Sequence, residues 1–201
     1  TLSVDLSGFT ALTESMMTKG NVGAEQLTVL LNQVFRPLVD IVYKHKGIIP
    51  YFAGDAFIAI FPKAQKLHEG AAVQVALEIS DFFAQLTPTI NIGFRIGIAN
   101  GIVEWGVVGN FPKSYYFRGL AITNATECQK QAEVNKITIH PAFDISVIYQ
   151  FARLTGTDKF SCYQIEAKPQ FSSTEIYQPF VEPSEEVTRL FIPDSVILHR
   201  K

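Results

Sequence analysis

The chain has 201 residues, of which 47% are hydrophobic and 18% charged, so it has enough apolar content for a sizeable core and too much for a disordered segment. A formal net charge of −2 leaves no basic excess and argues against nucleic acid as the main partner. No apolar run approaches the ~18 residues that span a membrane, so no membrane contact is expected from this segment, and no signal peptide is visible.

The length fits one domain plus an extension. The two cysteines, Cys128 and Cys162, match no metal spacing and read as reduced thiols of an intracellular, cytoplasmic protein, with a single stabilising disulfide as the lesser alternative. The sequence starts inside a predicted strand, without Met, and is expected to be a piece of a longer polypeptide.

In chain order, residues 2–5 read as a strand end, Phe9 to Met17 as a short helix and Thr18 to Gly23 as a loop. From Ala24 to Lys46 the residues Leu27, Leu30, Leu31, Val34, Phe35, Leu38, Ile41 and Val42 form one helical stripe. Pro37 can bend this helix, and Gly47 ends it. GIIPYFAGDAFIAIF reads as a β-hairpin with its tip at Ala53-Gly54-Asp55-Ala56. Leu67 to Leu86 is a second amphipathic helix. INIGFRIGIAN and GIVEWGVVG are two strands, Leu120 to Ala132 a third helix and KITIHP a strand, and residues 151–166 supply one or two more strands. Hairpins occur as often as crossovers, which points to an α+β fold with a mostly antiparallel sheet. After Lys168 prolines and an acidic SEE run read as an extension or linker, so residues 1–167 form the domain and 168–201 the tail.

Two acids stand out. Asp5 ends a strand, and Asp55 sits at a hairpin tip. In a ferredoxin-like arrangement the first strand lies beside this hairpin, and two carboxylates that close are costly without a cation between them. Mg²⁺ takes one or two carboxylates plus substrate phosphates, and two such ions can flank a phosphoryl centre. The turn Ser7-Gly8-Phe9-Thr10 then offers backbone N–H groups at a helix start, a ready anion site. The bland alternative makes Asp5 an N-cap-type residue and Asp55 a turn former.

DLSGFTALTE resembles the first metal motif of class III nucleotidyl cyclases, and GAEQLTVLLNQVF resembles the helix that follows it. YFAGDAFIAIF resembles the family's hairpin with the second metal acid, and RIGIANGIVEWGVVG its next paired strands. The likeness runs in order over about Thr1 to Pro141 and is greatest to the first catalytic domain of tandem soluble adenylyl cyclases. It implies that Asp5, the Leu6 carbonyl and Asp55 bind two Mg²⁺ or Mn²⁺ ions, and that Ser7, Gly8, Phe9, Thr10 and Gly54 hold the nucleotide. The implied reaction turns ATP into 3′,5′-cyclic AMP and pyrophosphate.

Sites of this family form between two cyclase domains. The second partner gives an asparagine and an arginine from one helix and a base-reading lysine. Here those positions are Thr123, Glu127 and Tyr51, and Asn124 is about 100° off the asparagine's direction. The resemblance therefore implies a metal-binding half that pairs with a second cyclase domain of the same polypeptide. Its alternative is an inactive regulatory or dimerisation module. The soluble enzymes' bicarbonate site uses cations near Tyr51 and Thr126, and neither residue is cationic. Arg95, inside an apolar strand, reads as a structural ion pair or an interface residue, and Trp105 as core or interface. His68 and Glu69 start an HExxH pattern whose second His is missing, which excludes a zinc protease.

Overall fold

Leu2, Val4 and Leu6 alternate with Ser3, Asp5 and Ser7, and this period of two builds the first strand, β1 (Leu2–Ser7). The computed structural model describes residues 1–63, 68–86, 90–110, 112–144, 154–156, 163–165 and 184. The tail at 168–201, Ser184 apart, lies outside the described residues, as do Cys162 and His199. After β1 come α1 (Phe9–Met17), α2 (Gly20–Lys44), β2 (Ile48–Ala53), β3 (Ala56–Ile60) and α3 (His68–Leu86). Then follow β4 (Gly93–Ile98), β5 (Glu104–Val108), β6 (Ser114–Arg118), α4 (Leu120–Gln131), β7 (Lys136–Ile139), β8 (Leu154–Gly156) and β9 (Tyr163–Ile165).

Seven strands form one sheet in the order β2-β3-β1-β4-β7-β9-β8. Every neighbouring pair is antiparallel except β4–β7, so the expected α+β fold with a mostly antiparallel sheet is the one adopted. One face carries Val4, Leu6, Phe57, Phe94, Ile96 and Ile137 into the main core. There α2 lays down its stripe of Leu30, Val34, Leu38 and Val42, and α3 adds Val73, Ala76, Ile79 and Phe83. Lys44 and His45 reach Glu78 of α3 at 3.1 and 2.8 Å, fastening the end of α2.

The opposite face carries α4. Gly97 lies so close beneath this helix that a Cβ would collide with the Ala125 carbonyl and the Gln129 amide. Thr138 Oγ1 lies 2.6 Å from Cys128 O, which holds the helix to β7. Cys128 is buried and disulfide-bonded, contrary to the expected reduced thiol.

Two expectations are corrected. Residues 18–23 are not all loop, because α2 begins at Gly20. Glycine is a poor helix former and hides the boundary. At Gly23, however, a side chain would strike the Met16 carbonyl where α1 crosses, so the close approach requires glycine. Nor do the strands at INIGFRIGIAN and GIVEWGVVG pair with each other. β4 pairs with β1 and β7, whereas β5 pairs with β6 as a separate two-stranded ribbon, with Trp105 opposite Phe117 and Val107 opposite Tyr115. These cross-strand aromatic and β-branched pairs supply the partner that β4 cannot, since both its edges are occupied.

Gly97→Ala is expected to destabilise the chain by about 1–3 kcal/mol, because α4 cannot retreat without losing its contacts to β4 and β7. Denaturant unfolding followed by circular dichroism measures this, and an unchanged midpoint would contradict the packing described.

Candidate functional site

β1 is central in the sheet, and its register sets the site. Asp5 stands opposite Ala56 of β3 on one side and Arg95 of β4 on the other. The β2–β3 hairpin closes through Gly54 and Asp55, with Gly54 at φ +66 in the first central position, where two-residue hairpin turns favour glycine. The Leu6 amide donates to the Asp55 carbonyl at 3.3 Å and draws this tip onto the end of β1. Thr10 Oγ1 donates to Asp55 Oδ2 at 2.8 Å and ties the same carboxylate to the first turn of α1. Asp5, Leu6, Ser7, Gly8, Phe9, Thr10, Gly54 and Asp55 therefore meet at one end of the sheet.

The start of α1 is open. Its N-cap is Gly8, in a left-handed conformation at φ +85, and no side chain caps the helix. Asp5 is thus not the cap that the bland reading made it. No residue of the helix's own first turn is acidic, and the carboxylate that reaches it, Asp55, is held by the Thr10 hydroxyl. A helix start of this kind attracts anions. Phe9 is buried and packs edge-on against Phe35, which meets Phe52 in the same manner. That aromatic row props the turn against α2 and the hairpin.

Asp5 is in an unfavourable place for a charge. Burial raises the Asp5 pKa above its ordinary value, the Asp55 charge raises it further, and the Arg95 guanidinium opposes both. This is the electrostatic condition that a divalent cation relieves. Two carboxylates with a nearby backbone carbonyl form a hard-oxygen donor set suited to Mg²⁺ or Mn²⁺ that keeps water or phosphate in its remaining positions. Among the described residues no group of three or more His, Cys, Asp or Glu forms a closed site. The residues present fit an open, substrate-completed one.

Thr123 and Glu127 stand elsewhere, on the exposed side of α4, opposite buried Ala121, Ala125 and Cys128. Glu127 pairs with Lys130 at 3.0 Å, and Thr123 Oγ1 lies 3.4 Å from the Gly119 carbonyl. Tyr51 is 40% exposed on edge strand β2. Arg95 is the residue the sequence reading underrated. Its Nε is buried and has no hydrogen-bond partner among the described residues, and it lies directly across the strand pair from Asp5. Only the strand register reveals that neighbour. Trp105 is 68% exposed, so it is not core. Ile102, Trp105, Val107, Tyr115 and Leu120 leave much of the ribbon and its approaches bare and apolar. Among the described residues no helix is long and apolar enough to cross a membrane.

The family model for the adenylate and guanylate cyclase catalytic domain matches residues 2–167. Adenylate cyclase type 10 of Rattus norvegicus is 32% identical over 146 residues, which are 69% of this chain and 9% of that protein. The chain thus spans a small part of its curated relative. The adenylyl cyclase CyaB from P. aeruginosa matches with a TM-score of 0.68 at 24% identity, over 84% of this chain and 93% of that one. The guanylate cyclase domain of RhGC from Catenaria anguillulae, solved in complex with GTP, matches at 0.69 and 19% identity, over 83% and 94%. At these identities the structural likeness shows a shared fold.

The raised Asp5 pKa means that the folded chain holds this proton more tightly than the unfolded chain. Stability from this group is therefore full at pH values below the ordinary carboxyl value of 3.8 and falls as pH rises through the raised folded value. At neutral pH, Asp5→Asn is expected to raise the metal-free Tm, by about 2–4 °C for each kcal/mol of charge burial and repulsion relieved. The same variant should lose the Tm increase that Mg²⁺ or Mn²⁺ gives the unaltered chain. Differential scanning calorimetry with and without the metal checks both statements.

Proposed function

Because this chain belongs to the adenylate and guanylate cyclase catalytic-domain family, we propose that it is the metal-binding half of a class III adenylyl cyclase, completed by a second cyclase domain. The observation that carries this reading is the meeting of Asp5, Asp55 and the uncapped start of α1 at one end of the sheet. The reaction is conversion of ATP to 3′,5′-cyclic AMP and pyrophosphate, the synthesis of a diffusible signal. ATP is preferred to GTP on the 32% identity to an adenylate cyclase. Residues 168–201 act as the linker towards the second domain.

Asp5, the Leu6 carbonyl and Asp55 would hold two divalent ions. Such ions, when bound, supply a lowered pKa for the attacking ribose 3′-hydroxyl and charge neutralisation for the leaving phosphates. The chain's own part is positioning. The amides of Ser7 to Thr10 receive the triphosphate on the positive end of α1, at no cost in displaced side-chain caps. Gly54 lets the backbone turn tightly enough to set Asp55 beside Asp5. Thr10 fixes the rotamer of Asp55 through its hydroxyl. Arg95 opposes the burial and the Asp55 charge that disfavour an ionised Asp5.

Transition-state donors are absent from α4. An acid at Glu127, already bound to Lys130, cannot stabilise charge that builds on a phosphate. Two copies of this chain would carry metal acids on both sides and donors on neither. The bare ribbon supports pairing with a different domain, since an isolated two-stranded ribbon is marginal in water and exposed apolar patches of this kind mark interfaces. The second reading, an inactive cyclase-like regulatory module, is favoured by the same Thr123 and Glu127.

The test is an ATP assay with Mg²⁺ or Mn²⁺ on this chain alone and mixed with a cyclase domain carrying the asparagine, arginine and lysine. Cyclic AMP is expected from the mixture, and Asp5→Ala or Asp55→Ala should lower it about 10²-fold or more, the scale of losing one transition-state stabiliser. No product from a folded mixture would favour the regulatory reading. In a separate measurement, the triple variant Tyr51→Lys, Thr123→Asn, Glu127→Arg is expected to gain activity without any partner.

A further inference from the structure

Cys128 of α4 is 0% exposed and disulfide-bonded, and the sequence holds one other cysteine, Cys162, which is therefore its partner. The strand register agrees with that pairing. In β7, Ile137 and Ile139 enter the main core, whereas Thr138 faces α4 and its hydroxyl donates to the Cys128 carbonyl at 2.6 Å. β9 runs beside β7 with Gln164 opposite Thr138 and Tyr163 opposite Ile139. Opposed residues of an antiparallel pair share a face, so Gln164 lies on the α4 side. Position 162 has the parity of Gln164, and the strand period of two assigns it to the same side.

The edge that this bond ties down is slight. β8 and β9 have three residues each and end the sheet. β9 meets β7 through two opposed residue pairs, and β8 pairs with β9. Among the described residues of these two strands, Ile165 is the one in the core. So few noncovalent contacts make a unit that opens easily by itself.

We infer that the bond between Cys128 and Cys162 is a site of reversible thiol–disulfide exchange with a dithiol, and that its state decides how firmly β8 and β9 stay on the sheet. Cys128 has no access to solvent, so the incoming thiolate attacks the Cys162 sulfur when the edge frays. A mixed disulfide forms there and Cys128 leaves as a thiolate that takes up a proton. The second thiol of the dithiol then displaces Cys162. The chain gains two electrons and two protons as two thiols, and the dithiol becomes a disulfide. Reduced Cys128 still packs as a small apolar side chain, so α4 keeps its seat on Gly97 while the edge strands lose their tie. The loop that the bond closes contains β7 and β8, so its closure also restricts the unfolded chain. The inference concerns the covalent state and the sheet edge and stands or falls without any cyclase activity.

The test equilibrates the native chain with oxidised glutathione or with dithiothreitol. Free thiols are then labelled with N-ethylmaleimide in denaturant and counted by mass spectrometry. The oxidised monomer is expected to carry no label and no glutathione, and the reduced one two labels. Reduction should lower the Tm by about 5–15 °C. It should also speed hydrogen exchange over residues 154–165 about tenfold or more, with β1, β3 and β4 unchanged. Cys162→Ser should match the reduced chain under both conditions. Thiols that persist in oxidised glutathione, a disulfide-linked dimer, a glutathione adduct, or a bond that dithiothreitol leaves closed in the native chain would each overturn the proposal. So would unchanged exchange over 154–165, or faster exchange throughout, which would make the bond a requirement of the whole fold.

Discussion

The half-burial of Asp5 beside Asp55 is the constraint on which this end of the molecule depends. A half-buried carboxylate next to another is an unfavourable arrangement by itself, and the fold holds it in place with interactions that have no other evident use. The Leu6 amide pulls the hairpin tip inward, Thr10 anchors the Asp55 side chain, and Arg95 offsets part of the charge from the opposite strand. Each of these is weak alone. Together they hold the two acids at one end of the sheet. Natural structures keep such local conflicts mainly where a ligand resolves them.

β1 carries this arrangement because of its position. It is paired on both sides, by β3 and β4, so Asp5 cannot move away from its neighbours without breaking backbone ladders. The two faces of the sheet then divide the work. The α2–α3 face is a closed apolar core that makes the sheet rigid. The other face is only partly covered by α4, and it holds Arg95, Tyr51 and the root of the β5–β6 ribbon. The α2–α3 side supplies the main core, and the α4 side, packed at Gly97, leaves room for the proposed partner surface.

Much of this could be read in the residues. The long α2 stripe, the hairpin around Gly54-Asp55 and the order of motifs gave the α+β class and brought Asp5 and Asp55 to attention, because period and turn chemistry are local signals. What escaped was non-local. Arg95 looked like an ion pair or an interface residue, and only the register across β1 and β4 makes it a neighbour of Asp5. The partner of β5 was misassigned because the alternation in GIVEWGVVG says that a strand exists and says nothing of its mate. Gly23 was mistaken for a loop residue because its role, the close crossing of α1, exists only in the assembled chain.

The β5–β6 ribbon has a consequence for how the two halves would find each other. Its strands are five residues each, with most side chains exposed, so those side chains would lose freedom on contact with a partner. Ordering on association weakens intermolecular affinity, and separate chains would meet rarely at cellular concentrations. A covalent tether changes that regime. Joined by a short flexible segment, the second domain is present at an effective concentration on the order of millimolar, whatever the amount of protein in the cell. For this chain, output would then follow the geometry of the tether and not the abundance of a partner, and lengthening or stiffening the tether would tune it.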